Sequence, residues 1–150
     1  EGSQQLTELW PRVNNSGIDI STCKNKAGIG LSTQDLSVYN FTKSNQLEYM
    51  VGCELIAGAS FPASLADETV SREIPKNTYA VFEFKGLMDD RYIEFWQAIM
   101  LDWFPSSGYD HTGGYFFEYY GPESAANSDE SVMKLYFPIK KQGERPQGNE

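Results

Sequence analysis

The sequence predicts a single α+β domain built from a duplicated helix–strand–strand unit, and three observations carry that reading. The chain has 150 residues, the length of one ordinary core with no room for a second catalytic or DNA-reading domain. Its apolar positions switch between the three- and four-residue steps of helices and the two-residue step of strands. The halves also match in spacing: Trp10 stands 18 residues before Gly28 and Trp96 stands 20 before Phe116, while Gly30 to Met50 and Phe116 to Tyr136 are both 20 residues apart.

Ser3 can cap a first helix over residues 3 to 14, in which Leu6, Leu9, Trp10 and Val13 recur at helical steps. Pro11 inside that pattern is expected to kink or shorten it. Residues 27 to 37 and 46 to 57 read as strands joined by a polar turn, with Leu47, Tyr49, Val51, Cys53 and Leu55 on one face of the second. Residues 58 to 69 form a small-residue loop, and a strand from Ser71 to Gly86 is interrupted at Pro75-Lys76-Asn77. Asp89 or Asp90 caps a second helix through Trp103, with Tyr92, Trp96, Ile99 and Trp103 on one face, and Pro105 and Gly108 stop it. Two last strands, Gly114 to Tyr120 and Val132 to Lys140, flank a polar loop, and the tail from Gln142 to Glu150 reads as disordered. Only the second half shows a strand ahead of its helix. The duplication therefore expects a matching strand ahead of Gln4 that is missing here, and a sheet short of one edge strand.

Twelve Lys and Arg against 21 Asp and Glu give a net charge of −9. Such a chain is a poor partner for nucleic acid, whose binding rests on Lys and Arg, and is repelled by anionic membrane surfaces, whereas its field favours cations. No apolar run nears the roughly 20 residues that span a bilayer, and the opening Glu-Gly-Ser-Gln-Gln has neither the basic start nor the apolar stretch of a leader. A cytoplasmic location is the expectation, so the glycosylation patterns at Asn14 and Asn40 carry no weight. Cys23 and Cys53 lack metal-ligand spacing and are read as free buried thiols rather than a disulfide. No metal or cofactor is implied. Gly28-Ile29-Gly30 lacks a third glycine and precedes a strand, so it is no dinucleotide fingerprint. His111 is a lone loop histidine with no triad partners, and Asp89, Asp90, Asp129 and Glu130 read as caps or loop charges.

Glu118 is the most informative residue. It sits among five aromatics in Tyr115-Phe116-Phe117-Glu118-Tyr119-Tyr120, in a chain with 9 Phe, 9 Tyr and 3 Trp. Strand alternation puts Phe116, Glu118 and Tyr120 on one face. A carboxylate in apolar surroundings is costly unless a cation or hydrogen-bond donors compensate; the alternative is a surface Glu on a half-exposed strand. Tyr49, Tyr92, Phe82 and Trp96 are further candidates for a groove wall, Tyr92 closing one end beside the Gly86 loop, although core packing is the ordinary role of such a ring and is favoured for Trp96. Trp10 and Trp103 are assigned to the core.

The series Ile74-Pro75-Lys76-Asn77-Thr78-Tyr79-Ala80-Val81-Phe82, Lys85-Gly86, Trp96-Gln97, Trp103 to Tyr109, Phe117-Glu118-Tyr119 and Leu135-Tyr136-Phe137-Pro138-Ile139-Lys140 resembles the GyrI-like family. That family includes the effector-binding domains of AraC-type and multidrug-responsive transcription regulators. Leu9-Trp10, Ala27-Gly28-Ile29-Gly30 and Tyr49-Met50-Val51-Gly52 fall where its first half would place them, so the resemblance spans about 130 residues. It implies tandem βαββ pseudo-repeats forming one curved antiparallel sheet, with two helices on the convex face and a ligand groove on the concave face. The DNA-binding module of the regulators has no counterpart here, and the family's pocket glutamate falls on Glu118. Departures are the missing first strand and Phe84, where many members carry a histidine.

The leading functional expectation is a stand-alone module that senses or sequesters amphipathic, lipophilic cations, with Glu118, Tyr49, Tyr92, Tyr120, Phe116, Phe82 and Trp96 as ligand contacts. Charge complementarity would come from the acid, and cation–π attraction of roughly 0.5 to 2 kcal/mol per contact from the rings. The resemblance also implies a second possibility, hydrolysis of strained electrophiles, with Glu118 as general base and Tyr49 or Tyr92 as hydrogen-bond donor. A third is a protein-binding role toward gyrase or a DNA-binding regulator.

Overall fold

The computed structural model describes residues 2–32, 49–125 and 127–143. The outer parts of the first two expected strands, the turn between them and most of the expected tail lie outside these residues.

Helix α1 (Gly2–Asn15) runs through Pro11. The expected early stop does not occur; the helix ends where the Ser16 hydroxyl donates to the Val13 carbonyl (2.6 Å) and Gly17 turns to φ 81°. Two short 3₁₀ turns, Ile20–Thr22 and Lys24–Lys26, lead into β1 (Gly28–Ser32), which pairs with β2 (Tyr49–Gly52). Strand β3 (Tyr79–Lys85) is shorter than the expected run from Ser71. Pro75 brings no donor to a ladder, and the Asn77 side chain accepts from the Thr78 amide (2.8 Å), giving that segment a local alternative. Helix α2 (Asp90–Gln97) starts where the Asp89 carboxylate accepts from the Arg91 amide (3.0 Å). It continues as a π-helical segment, Ala98–Trp103, and a last turn α3 (Phe104–Ser107) that tolerates Pro105 in its first positions before Gly108 ends it at φ 77°. Strand β4 (Tyr109–His111) replaces the loop expected around His111, because these residues pair with residues 139 to 141. Strands β5 (Phe116–Tyr120) and β6 (Val132–Lys141) are the last two elements among the described residues.

All pairings are antiparallel, in the order β2-β1-β5-β6-β3 with β4 on the end of β6. The pseudo-repeat is visible in that order. β1 and β5 form the central pair, and β2 and β6 flank them as the second strands of each half; β3 lies outside β6, whereas among the described residues β2 pairs with β1 alone. The core lies between α2 and the sheet, where Leu135 and Phe137 are fully buried with Ile99, Phe104, Phe116 and Ile139 around them.

The face that carries Glu118 differs from the one the resemblance implied. Residues opposite one another in a ladder share a face, so Gly30, Glu118 and Leu135 lie together, as do Ser32 with Phe116. Trp96 of α2 packs on Phe116 and Phe137, and Trp10 of α1 packs on Tyr120. Both helices and the acid therefore occupy the same side of the sheet, with Glu118 between the helices rather than across the sheet from them.

The expectation of free thiols is also overturned. Cys23 and Cys53 form a disulfide with Cα atoms 5.6 Å apart, because residues 22 to 24 run alongside 54 to 56: the Lys24 amide donates to the Glu54 carbonyl (2.7 Å) and the Ile56 amide to the Thr22 carbonyl (3.0 Å). Such bonds persist in oxidising compartments and are rare in a reducing cytoplasm, so the bond and the expected cytoplasmic location make opposite demands. No described helix is long and apolar enough to cross a membrane.

Candidate functional site

Three phenols converge on one carboxylate. Tyr49, from the start of β2, donates its hydroxyl to Oε2 of Glu118; Tyr120, two residues along β5, donates to the same oxygen at 2.9 Å; Tyr92, from the first turn of α2, donates to Oε1. Strand alternation places Tyr120 beside Glu118, whereas Tyr49 and Tyr92 are brought in by the β1–β2 ladder and by the Asp89 cap that starts α2. Arg91, next to Tyr92, bridges Asp89 and Asp129 at 2.9 Å each and ties the start of α2 to the β5–β6 loop.

The close approach of Tyr49 needs the absence of a side chain at Gly30, the ladder partner of Glu118. A Cβ there would overlap the Tyr49 hydroxyl outright and stand 2.7 Å from its Cζ and 2.9 Å from Glu118 Oε2. Gly28 does the same for α1: a Cβ would come within 2.9 Å of the Trp10 ring, which meets Tyr120 edge-on at 5.0 Å. On the other flank Tyr92 leans on Phe84 (5.3 Å) and on Trp96 (6.5 Å), and Trp96 on Phe116 (5.6 Å). Phe84, where the resemblance would more often have a histidine, thus presents an apolar edge to Tyr92.

Burial first, and the charge of Glu118 second, push the hydroxyls of Tyr49, Tyr92 and Tyr120 well above the ordinary phenol value. They remain protonated donors at any ordinary pH. Among the described residues no lysine, arginine or histidine forms an ion pair with Glu118, and no cluster of three His, Cys, Asp or Glu side chains is placed to hold a metal ion. The arrangement is a half-buried carboxyl group met by three neutral donors and flanked by aromatic rings, with no cationic side chain paired to it among the described residues.

Of the residues singled out from sequence, Glu118, Tyr49, Tyr92 and Tyr120 meet directly, and Phe116 and Trp96 back them. Phe82 does not join them. It lies two strands away with Leu135 between, against Trp103 and Phe137. Trp10, assigned to the core from sequence, is instead half-buried beside Tyr120, and the room that Gly28 and Gly30 leave for Trp10 and Tyr49 goes beyond their places in the repeat and in the resemblance. A Gly-x-Gly strand opposite an aromatic–acid strand was the available signal, but it becomes legible only when the register is known.

Residues 1–139 match the family model for Cass2, the integron-associated effector binding protein. Among curated proteins none matches the chain. Among solved structures, SAV2435 bound to tetraphenylphosphonium superposes with a TM-score of 0.54 at 13% identity, covering 92% of this chain and 79% of that one. At that identity the likeness is one of fold.

Proposed function

Because the chain belongs to the family of integron-associated effector-binding proteins, we propose that its effectors are amphipathic, lipophilic cations held against Glu118 between the two helices. The observation that carries this reading is the Glu118 carboxyl group, fixed by three phenol hydroxyls among aromatic rings with no cationic side chain paired to it among the described residues. The net charge of −9 adds a field of the same preference outside the site, and the fold neighbour SAV2435 was solved with tetraphenylphosphonium. A cation centred about 5 Å from the carboxylate gains about 3 kcal/mol at an effective dielectric of about 20.

Titration with tetraphenylphosphonium, followed by quenching of the tryptophan emission, tests the proposal. Binding in the micromolar range is expected, weakened on the order of 100-fold by Glu118→Gln; unchanged affinity in that variant would remove the central claim. The hydrolytic alternative asks the same carboxylate to take a proton from water, yet three of its roughly four acceptor positions are already filled by phenols. Binding without turnover is the reading that this arrangement favours.

A further inference from the structure

We propose that the three phenols make the site selective for cations that carry no N–H bond: quaternary ammonium, phosphonium and N-alkylated heteroaromatic ions in preference to protonated amines of the same size. The inference rests on the cation-binding reading above and takes it from the sign of the charge to the hydrogen-bonding character of the ligand.

The basis is the count of acceptors. A carboxylate offers about four lone-pair positions, two on each oxygen. Oε2 of Glu118 receives both Tyr49 and Tyr120, and Oε1 receives Tyr92. Oε2 is therefore full and Oε1 has one position left. The hydroxyls cannot withdraw by ionising, since burial and the neighbouring acid hold all three protonated.

A protonated primary amine brings three N–H donors that leave water on entry. One can be received at Oε1; each of the others weakens binding by on the order of tenfold if it stays unpaired. A quaternary centre spreads its charge over C–H groups, gives up no strong hydrogen bond, and is attracted both by the carboxylate and by the ring faces. One more polar atom lies on this face. Ser32 Oγ has no partner among the described residues, but it is two residues along β1 from Gly30, about 7 Å, and at 1% exposure it is closed to a ligand.

Calorimetric titration with decyltrimethylammonium, decyldimethylammonium and decylammonium at about pH 7, where all three are cationic, separates the possibilities. The quaternary ion is expected to bind on the order of tenfold or more tighter than the primary one, with the single N–H of the tertiary ion placing it near the quaternary. Equal affinities, which would mean that the phenol oxygens serve as acceptors, overturn the selectivity while leaving cation binding intact. Failure of the quaternary ion to bind overturns both. Tyr120→Phe reopens a position on Oε2 and Tyr92→Phe one on Oε1, so in each variant the quaternary-to-primary preference should shrink by about threefold or more. A preference unchanged in both, with native circular dichroism, would assign it to ligand lipophilicity instead and overturn the proposal.

Discussion

A methyl group at Gly30 would stand where the Tyr49 hydroxyl meets Glu118. The added Cβ lies 2.7 Å from Tyr49 Cζ and 2.9 Å from Glu118 Oε2 and overlaps the hydroxyl, all closer than real Cβ atoms tolerate. The ring is the flexible partner, so in Gly30→Ala Tyr49 swings away and its hydrogen bond to the carboxylate is lost. A hydrogen bond to a charged group contributes about 1.5 to 3 kcal/mol, and replacing glycine by alanine in a strand returns about 0.5 to 1 kcal/mol of backbone entropy. The net loss is about 1 to 2 kcal/mol, a fall in Tm of about 2 to 8 °C for a domain of this size. Gly52→Ala is the matched control on the neighbouring strand, where an added Cβ meets nothing within 4 Å; it should be neutral or slightly stabilising. Urea unfolding of the two variants decides the matter. If Gly30→Ala is as stable as Gly52→Ala, the Tyr49–Glu118 contact is not a feature of the folded protein, and the acceptor count at Oε2 falls with it.

Two further outcomes follow from the same contacts. Tyr49, Tyr92 and Tyr120 are all raised above the phenol value of about 10, first by burial and then by the Glu118 charge. The unfolded chain loses those protons above about pH 10 while the fold keeps them, so their contribution is complete below about pH 10 and stability then falls with rising pH, by up to about 1.4 kcal/mol per unit for each tyrosine. Ultraviolet titration should show the three ionising only as the fold is lost; reversible ionisation of all 9 tyrosines with the fold intact would contradict the burial. The disulfide closes a sequence separation of 30 residues, for which chain entropy predicts about 3 to 4 kcal/mol of stabilisation. Reduction, or the Cys23→Ser/Cys53→Ser pair, should lower the urea midpoint accordingly, and an unchanged midpoint in fully reduced protein would show that the ladder holds β2 without it.

The α+β class and the repeat were legible because helical and strand periodicities are local, and Glu118 with Phe116 and Tyr120 on one face follows from alternation within β5. That Tyr49 and Tyr92 reach the same carboxylate was named as a possibility, but what permits it was not legible. Gly28 and Gly30 matter through the side chains they lack, and only the β1–β5 register, which sets Gly30 opposite Glu118, reveals what fills the space. Phe82 shows the converse. It shares the face of Glu118, yet the strand order places β6 between them. The disulfide and β4 escaped for a related reason, since both depend on pairings between distant short segments, residues 22 to 24 with 54 to 56 and 109 to 111 with 139 to 141. Which side of the sheet the helices cover is likewise a property of packing, and alternation within a strand is silent about it.

The choice of partners around Glu118 has its own physical logic. A half-buried carboxylate needs donors, and an arginine would be the strongest, but it would also cancel the charge and leave nothing for a cation to meet. Phenols satisfy the oxygens while contributing no net charge, and an aromatic ring attracts a cation to its face where an arginine would repel it. The cost falls on stability, because a negative charge held in a partly desolvated place without a counter-ion is unfavourable. Glu118→Gln removes that cost, but an amide nitrogen cannot accept a phenol hydroxyl, so it also forfeits charge-assisted bonds of about 1.5 to 3 kcal/mol each; it is expected to lower the urea midpoint while weakening tetraphenylphosphonium binding on the order of 100-fold. Binding weakened no more than by Tyr120→Phe, which loses one such bond and keeps the acid, would mean that the carboxylate is there to hold the helices to the sheet, and that cation binding is incidental to it.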